Sequence, residues 1–290
     1  MKLSVTPNDN IQNLLDQIPL SETIHLYLAD GFYYQKLTLR HPNMIIEGES
    51  HDAIITHDDH ALKFHQDGLL MNTFRTQTVL VLGDSITLRN LTILNTSGKG
   101  EKIGQAIALS SYGDNTVIDN CVLKSTQDTV FFGPLPEDLC KRYTHILAKE
   151  ELSLRPLKHF VFRSTIEGDI DFIFGSSDAF FDNCTIISNG NGYITAPSTH
   201  PKSSFGLVFN DCIFQSKGDF KVILGRPWRS GGSSIFIHSK FRSSIDQNRF
   251  DDWSKPFYHF YETPYVSSIH SKPLPEAMLN SILEIIANKR

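Results

Sequence analysis

The sequence predicts an all-β protein, wound as a parallel β-helix with a short helix at each end, and three observations predict it. From Thr23 to about Phe260 the chain is a succession of short β-like runs broken by glycines and polar turns. Within those runs a tetrad recurs: Asn90-Leu91-Thr92-Ile93, Asn120-Cys121-Val122-Leu123, Asn183-Cys184-Thr185-Ile186 and Asp211-Cys212-Ile213-Phe214, with Arg163-Ser164-Thr165-Ile166 and Ser239-Lys240-Phe241 as weaker copies. The copies recur at intervals of roughly 20 to 30 residues with one longer gap, a period that suits a solenoid whose unit carries several strands. Finally, amphipathic helical patterns occur only near the two ends. A β-sandwich with irregular strands is the competing architecture.

Taken in order, Asn8 and Asp9 are candidate caps for a helix carrying Ile11, Leu14, Leu15 and Ile18, with Pro19 just beyond. Strand-like runs follow at Ile24 to Leu28, Lys36 to Leu39 and Met44 to Ile46. The long gap in the repeat falls at 134–158, which reads as an inserted loop because it holds Pro134, Pro136, Pro156, the charged run Lys149-Glu150-Glu151 and few alternating apolar residues. Near the end, Met278, Leu279, Ile282, Leu283 and Ile286 form a second helical stripe opened by Pro275 and Glu276, placed to cover strand edges. No linker divides the chain, so residues 1–290 are expected to form one domain.

Hydrophobic residues at 40% and charged residues at 20% describe an ordinary globular protein. A formal net charge of -5 argues against a nucleic-acid surface, and no run approaches a membrane span. Residues Met1 to Asn8 meet proline and polar groups before an export signal develops, so the default compartment is the cytoplasm, or the exterior if a leader was removed. A monomer is expected. Cys121, Cys140, Cys184 and Cys212 lack the close pairs of a zinc or redox motif and read as reduced core residues.

Four stretches stand out: Ile103-Gly104-Gln105-Ala106, Thr126-Gln127-Asp128-Thr129, Gly168-Asp169-Ile170-Asp171-Phe172-Ile173-Phe174-Gly175 and Leu224-Gly225-Arg226-Pro227-Trp228. Read as one strand, the third stretch sends Phe172 and Phe174 into a core and stands Asp169 and Asp171 on the other surface. A lone acid there is more often a turn cap. On successive rungs of a solenoid, however, Gln105, Asp128 and Asp171 become vertical neighbours in one groove. Gln127 and Asp128 share that groove only if the backbone bends at Gln-Asp-Thr.

Together these stretches, preceded by Asn72-Thr73-Phe74-Arg75-Thr76 and Asn95-Thr96, resemble the pectin methylesterases from about Ile11 through Trp253. The resemblance implies a single-stranded right-handed parallel β-helix and hydrolysis of methyl-esterified galacturonate in pectin or oligogalacturonides, without a cofactor or metal. It implies Asp171 as nucleophile, Asp128 as general acid and base, and Arg226 as the cation holding Asp171 charged. Gln105 and Gln127 correspond to oxyanion donors, and Thr73, Gln105, Arg226 and Trp228 to substrate contacts. For Trp228 a sugar platform and a structural wedge after Pro227 both remain open. Arg229 is a further candidate contact for an acidic chain, or an exposed surface charge.

The chain departs from the family pattern in several places. Asn72 stands where the family has glycine, and Ser164 where many members place the cysteine that pairs with the position of Cys121. Arg249-Phe250 replaces the family's Gly-Trp ahead of Asp251-Asp252-Trp253. His57-Asp58-Asp59-His60, followed by His65, looks like a metal tract but sits in a polar stretch where solvated side chains are the commoner outcome. The competing functions are an esterase or thioesterase with a changed substrate, and a silent carbohydrate-binding β-helix.

Overall fold

The structure, a computed structural model, describes residues 1–242 and 244–290. Its short β-branched and aromatic runs form strands that each coil of the chain deals out to three sheets, one of eleven strands and two of eight. Pairing within them is parallel, as in Val122 with Thr92 below and Thr165 above. The architecture is the expected right-handed parallel β-helix, without the two facing antiparallel sheets of a sandwich.

The tetrad repeat acquires a physical meaning at the corner between the eleven-stranded sheet and its neighbour. Thr92, Val122, Thr165, Thr185, Ile213 and Lys240 lie in one register. Two residues before them stand Asn90, Asn120, Arg163, Asn183, Asp211 and His238, all with φ between 47° and 54°. This left-handed conformation turns the chain sharply from one sheet to the next. Asparagine tolerates it best among residues with a Cβ because its short amide can bond locally. Asn90 Nδ2 donates to the carbonyls of Gly48 and Glu49 at 2.9 and 3.0 Å, and Asn120 Nδ2 donates to Asn90 Oδ1 at 3.0 Å.

Behind five of these six corners the next side chain, Leu91, Cys121, Ser164, Cys184 or Cys212, is buried. Cys121, Cys184 and Cys212 are buried there as free thiols. Ser164 Oγ accepts from the Cys121 N–H at 3.0 Å, a hydrogen bond where a sulfur would have formed a bridge. Further along the interior Phe181, Phe209 and Phe236 stack in register, with ring centroids 4.6 and 5.1 Å apart.

Three α-helices among the described residues decorate the solenoid, and each corrects an expectation in part. Helix α1 (Ile11–Asp16) plugs the first coil with Ile11 and Leu15, but its cap is Asn10, whose side chain accepts from Asn13 N–H. Asp9 instead binds the Thr6 N–H in the preceding turn. The region 134–158 is not merely loop, since it contains α2 (Glu137–Arg142), and Lys158 already belongs to the strand Lys158–Phe162. Six helical residues are too few to show a period among prolines and charges. Even so, Leu135, Leu139, Cys140 and Leu147 are buried against Leu82, Phe131 and Phe174, outside the solenoid's own core.

Helix α3 (Glu276–Ala287) lies on a sheet face and not along strand edges. Its Ile282 and Ile286 cover Phe160, Phe162, Phe180, Val208, Ile235 and Ile237 on the outside of the eleven-stranded sheet. The reason is in the strands: Lys158–Phe162 and Asp178–Asp182 carry apolar residues on both faces, so the outer face also needs a partner.

The corner ladder makes a stability prediction. Asn120→Ala, which keeps a Cβ in the left-handed corner and removes the amide, should cost about 1–2 kcal/mol in urea denaturation, and Asn120→Gly distinctly less. Equal losses would show that the corner conformation is not what the asparagine serves.

Candidate active site

The site grows out of the same stacking at a different corner. In one eight-stranded sheet Val130, Ile173, Thr195 and Gly225 are in register on consecutive rungs. Two residues before Val130 and Ile173 stand Asp128 and Asp171, both left-handed with φ of 63° and 50°. The Asp128 N–H donates to the Ile170 carbonyl at 3.1 Å and the Asp171 N–H to the Tyr193 carbonyl at 2.7 Å. Hydrogen bonding thus runs on through the corner and sets the two acids one rung, about 4.8 Å, apart along the sheet. The bend expected at Gln127-Asp128-Thr129 is present, which lets Gln127 and Asp128 face one pocket.

The stretch from Gly168 to Gly175 is not one strand. Thr165–Gly168 and Ile173–Gly175 belong to different sheets, and residues 169–172 turn between them. The turn separates the two acids that alternation placed side by side. Asp171 lines the pocket, whereas Asp169 accepts its neighbour's Ile170 N–H at 2.7 Å and is not among the pocket residues. The two phenylalanines also part company: Phe172 enters the solenoid core, and Phe174 faces outward against Trp228 with centroids 5.7 Å apart.

Arg226 follows Gly225, where no larger residue fits because an added Cβ would sit 2.1 Å from Thr195 Oγ1. Its backbone N–H joins the rung below at the Thr195 carbonyl. The guanidinium grips Asp171 with two hydrogen bonds, Nε to Oδ1 at 2.9 Å and Nη2 to Oδ2 at 2.7 Å. The rings of Tyr193 and Trp253 hold its carbon at 3.9 and 3.8 Å from their centroids. Neither aromatic was singled out from the sequence as a site residue. Tyr193 carries no motif, and Trp253 served only as a landmark.

These surroundings divide the two acids. Burial, then the neighbouring Asp171 charge, pushes the Asp128 carboxyl well above the usual carboxylate range, with the Gln127 side chain and Arg226 pulling it back. Burial raises Asp171 too, but its salt bridge to Arg226 opposes the rise. The first proton lost on raising the pH therefore leaves Asp171 and the second leaves Asp128.

The pocket above them holds about 450 Å³, and Gln105, Gln127, Asp128, Asp171, Arg226, Thr73 and Trp228 all line it. Every residue assigned to the site from the sequence is therefore at one place. Trp228 is wedged against Phe74 and Phe174 and also lines the pocket. Arg229 is neither a lone surface charge nor an unpaired contact. It lies 4.7 Å over the Trp228 ring and binds Asp138 of α2 at 2.8 Å. Leu139, Arg142 and Tyr143 of the same excursion complete the wall, and no local signal in the sequence marked them.

The histidine tract lies elsewhere and corrects the reading of a solvated stretch. His57, Asp58 and Asp59 converge within 4.8 Å, but Asp59 is buried and receives Lys36 Nζ at 2.7 Å and Lys63 Nζ at 2.8 Å. The two ammonium groups already supply the charge a metal would bring. His60 and His65 are not part of the cluster.

A raised acid in the folded state destabilises that state once it must ionise. Between its unfolded value near 3.8 and its higher folded value Asp128 binds more protons folded than unfolded, so its contribution to stability is present at low pH and lost as the pH rises through the folded value. Asp128→Asn should therefore raise the urea midpoint at neutral pH, with the gain shrinking toward pH 3. A variant no more stable than the parent at pH 7 would contradict the assignment.

Three comparisons bear on identity. The family model described as Pectinesterase matches residues 6–134 and 149–265. Pectinesterase 2 of Citrus sinensis is 27% identical over 244 residues, covering 80% of this chain and 42% of that protein. Pectinesterase 31 of Arabidopsis thaliana is 28% identical over 255 residues, covering 84% of this chain and 73% of its own. The chain spans about a third to a half of the length of several curated relatives it matches. Pectin methylesterase from Erwinia chrysanthemi superposes with a TM-score of 0.75 at 22% identity, over 97% of this chain and 94% of that one, which shows the fold. With the family's motifs gathered in one pocket and its model matched along most of the chain, this protein belongs to the pectinesterase family.

Proposed function

We propose that this protein hydrolyses the methyl esters of galacturonate units in pectin or oligogalacturonides, releasing methanol and a free carboxylate. The observation that carries the reading is the pairing of an acid clamped by a guanidinium with a second, buried acid one rung away, whose carboxyl burial pushes well above the usual range. Such a pair can divide nucleophilic from proton-transfer work.

In this mechanism the Asp171 carboxylate attacks the ester carbonyl carbon, and the carbonyl electrons move onto oxygen. The side-chain amides of Gln105 and Gln127 donate to that oxyanion without titrating themselves. Collapse of the intermediate breaks the carbon to methoxy bond, and Asp128 passes its proton to the departing oxygen, so methanol leaves and an acyl-Asp171 anhydride remains. Asp128, now ionised, takes a proton from water as that water attacks the acyl carbon. Collapse then breaks the bond from the acyl carbon to Asp171, which regenerates the Asp171 carboxylate beside the already reprotonated Asp128 and frees galacturonic acid, which loses its own proton to solvent. Arg226 holds Asp171 ionised and aimed before the attack and takes up the carboxylate again on its release, and Trp228 with Thr73 would bind the sugar ring.

The test is methanol release from methylated pectin and oligogalacturonides. Asp171→Ala should abolish it, and Gln105→Ala should lower kcat by about 10²- to 10³-fold. The pH profile of kcat/KM should be bell-shaped, falling on the acid side as Asp171 protonates and on the alkaline side as Asp128 loses its proton. Hydrolysis of acyl thioesters without methanol release from pectin would replace this substrate with another. Undiminished turnover in Asp171→Ala would remove the mechanism.

A further inference from the structure

The family model passes over residues 135–148, the part of the excursion that carries α2. That segment is not a loose insertion. Its N-terminal end is tied to one wall of the pocket, where Asp138 takes Arg229 in a two-pronged ion pair with Nη2 to Oδ2 at 2.8 Å. Its C-terminal end is tied at a second point, where Tyr143 Oη donates to Asn72 Oδ1 at 3.0 Å beside Thr73. Asn72 holds φ at 59° and ψ at 169°, a conformation otherwise almost reserved for glycine, and its side chain is what Tyr143 binds. Between the two ties the helix rests on aromatic rings: Tyr143 lies 5.8 Å from Phe74, and Phe74 is 6.4 Å from Trp228.

We propose that α2 is a crossbeam that ends the binding groove, so that the protein selects short oligogalacturonides or chain ends over the interior of long pectin. The inference rests on the esterase reading above and adds to it the length of substrate the site accepts. A groove open along the sheet would let a polymer pass over the acids. Here Leu139 and Tyr143 line the pocket that holds the acids, and its volume of about 450 Å³ is in the range of a small-ligand site. Arg142, exposed at the end of α2, adds a guanidinium to the same wall. Arg229 is already neutralised by Asp138, so Arg142 is the cation placed to meet the free carboxylate of a neighbouring, unesterified galacturonate. A single surface pair such as Asp138 with Arg229 contributes little by itself, so the aromatic packing and both ties act together.

The experiment compares kcat/KM for methanol release from methylated oligogalacturonides of three to six units and from methylated pectin, at equal ester concentration. Two variants are used: one with residues 137–147 replaced by a short Gly-Ser link, and a double variant Asp138→Asn with Tyr143→Phe that unties both ends and leaves the buried leucines in place. The parent protein should favour the oligomers. Both variants should raise the polymer to oligomer ratio of kcat/KM, the linker variant by about tenfold or more. If the linker variant fails to fold, the ratio in the double variant decides. A ratio unchanged from the parent in the folded variants, with methanol still released, would overturn the crossbeam and leave the esterase intact. No methanol from any substrate with the parent protein would overturn the esterase reading, and the crossbeam with it.

Discussion

Two carboxyl groups on adjacent rungs of a parallel sheet cannot both be charged cheaply. At one rung spacing and an effective dielectric of about 20, two negative charges repel by on the order of 3 kcal/mol. The structure resolves this conflict by giving one of them a cation. Arg226 reaches Asp171 through both of its oxygens, while Asp128 is left buried beside the resulting charge. The remaining features of the site follow from that division. Tyr193 and Trp253 fix the guanidinium plane, Gly225 lets its strand approach, and two left-handed corners turn both acids outward. Stability is given up locally so that two like groups can hold different protonation states, as expected where strain and shifted acidity coincide.

The solenoid supplies rigidity for this arrangement at little local cost. The left-handed corner occurs on the two adjacent rungs of Asp128 and Asp171, and hydrogen bonds tie it to the rungs on either side, from the Ala106 N–H to the Gln127 carbonyl and from the Asp171 N–H to the Tyr193 carbonyl, so a displacement of either acid would have to break ladder hydrogen bonds. Outside the solenoid, a second apolar cluster under α2 connects the excursion to Phe131 and Phe174, which sit on the two rungs carrying the acids. The excursion that lines the pocket therefore packs on the same strands that follow the two acids.

Much of this could be read from the chain because repetition and motif spacing report directly on stacking. The asparagine and cysteine tetrads marked a corner and the core position beside it, and four short motifs collapsed into one pocket once successive coils were aligned. What could not be read depended on turns and on contacts distant in sequence. Strict alternation put Asp169 and Asp171 on one face, because a left-handed turn at Asp171 leaves no period. Tyr193 and Trp253 come to Arg226 from neighbouring coils, and a lone aromatic in a strand-rich chain looks like any other. The excursion hid its helix behind prolines and charges, and its two ties join residues 71 and 91 positions apart. The terminal helix was visible as an amphipathic stripe, but its target required knowing which strands are apolar on both faces.

The division of charge between Asp128 and Asp171 is measured most directly by carbon-13 NMR titration of the two carboxyls, with Asp171→Asn and Asp128→Asn providing the assignments. The account predicts that Asp171 ionises first and that Asp128 keeps its proton to clearly higher pH, with the Asp128 transition moving down when the charge at position 171 is removed. Asp128 ionising before Asp171, or both titrating at the ordinary carboxylate value without influence on one another, would contradict it.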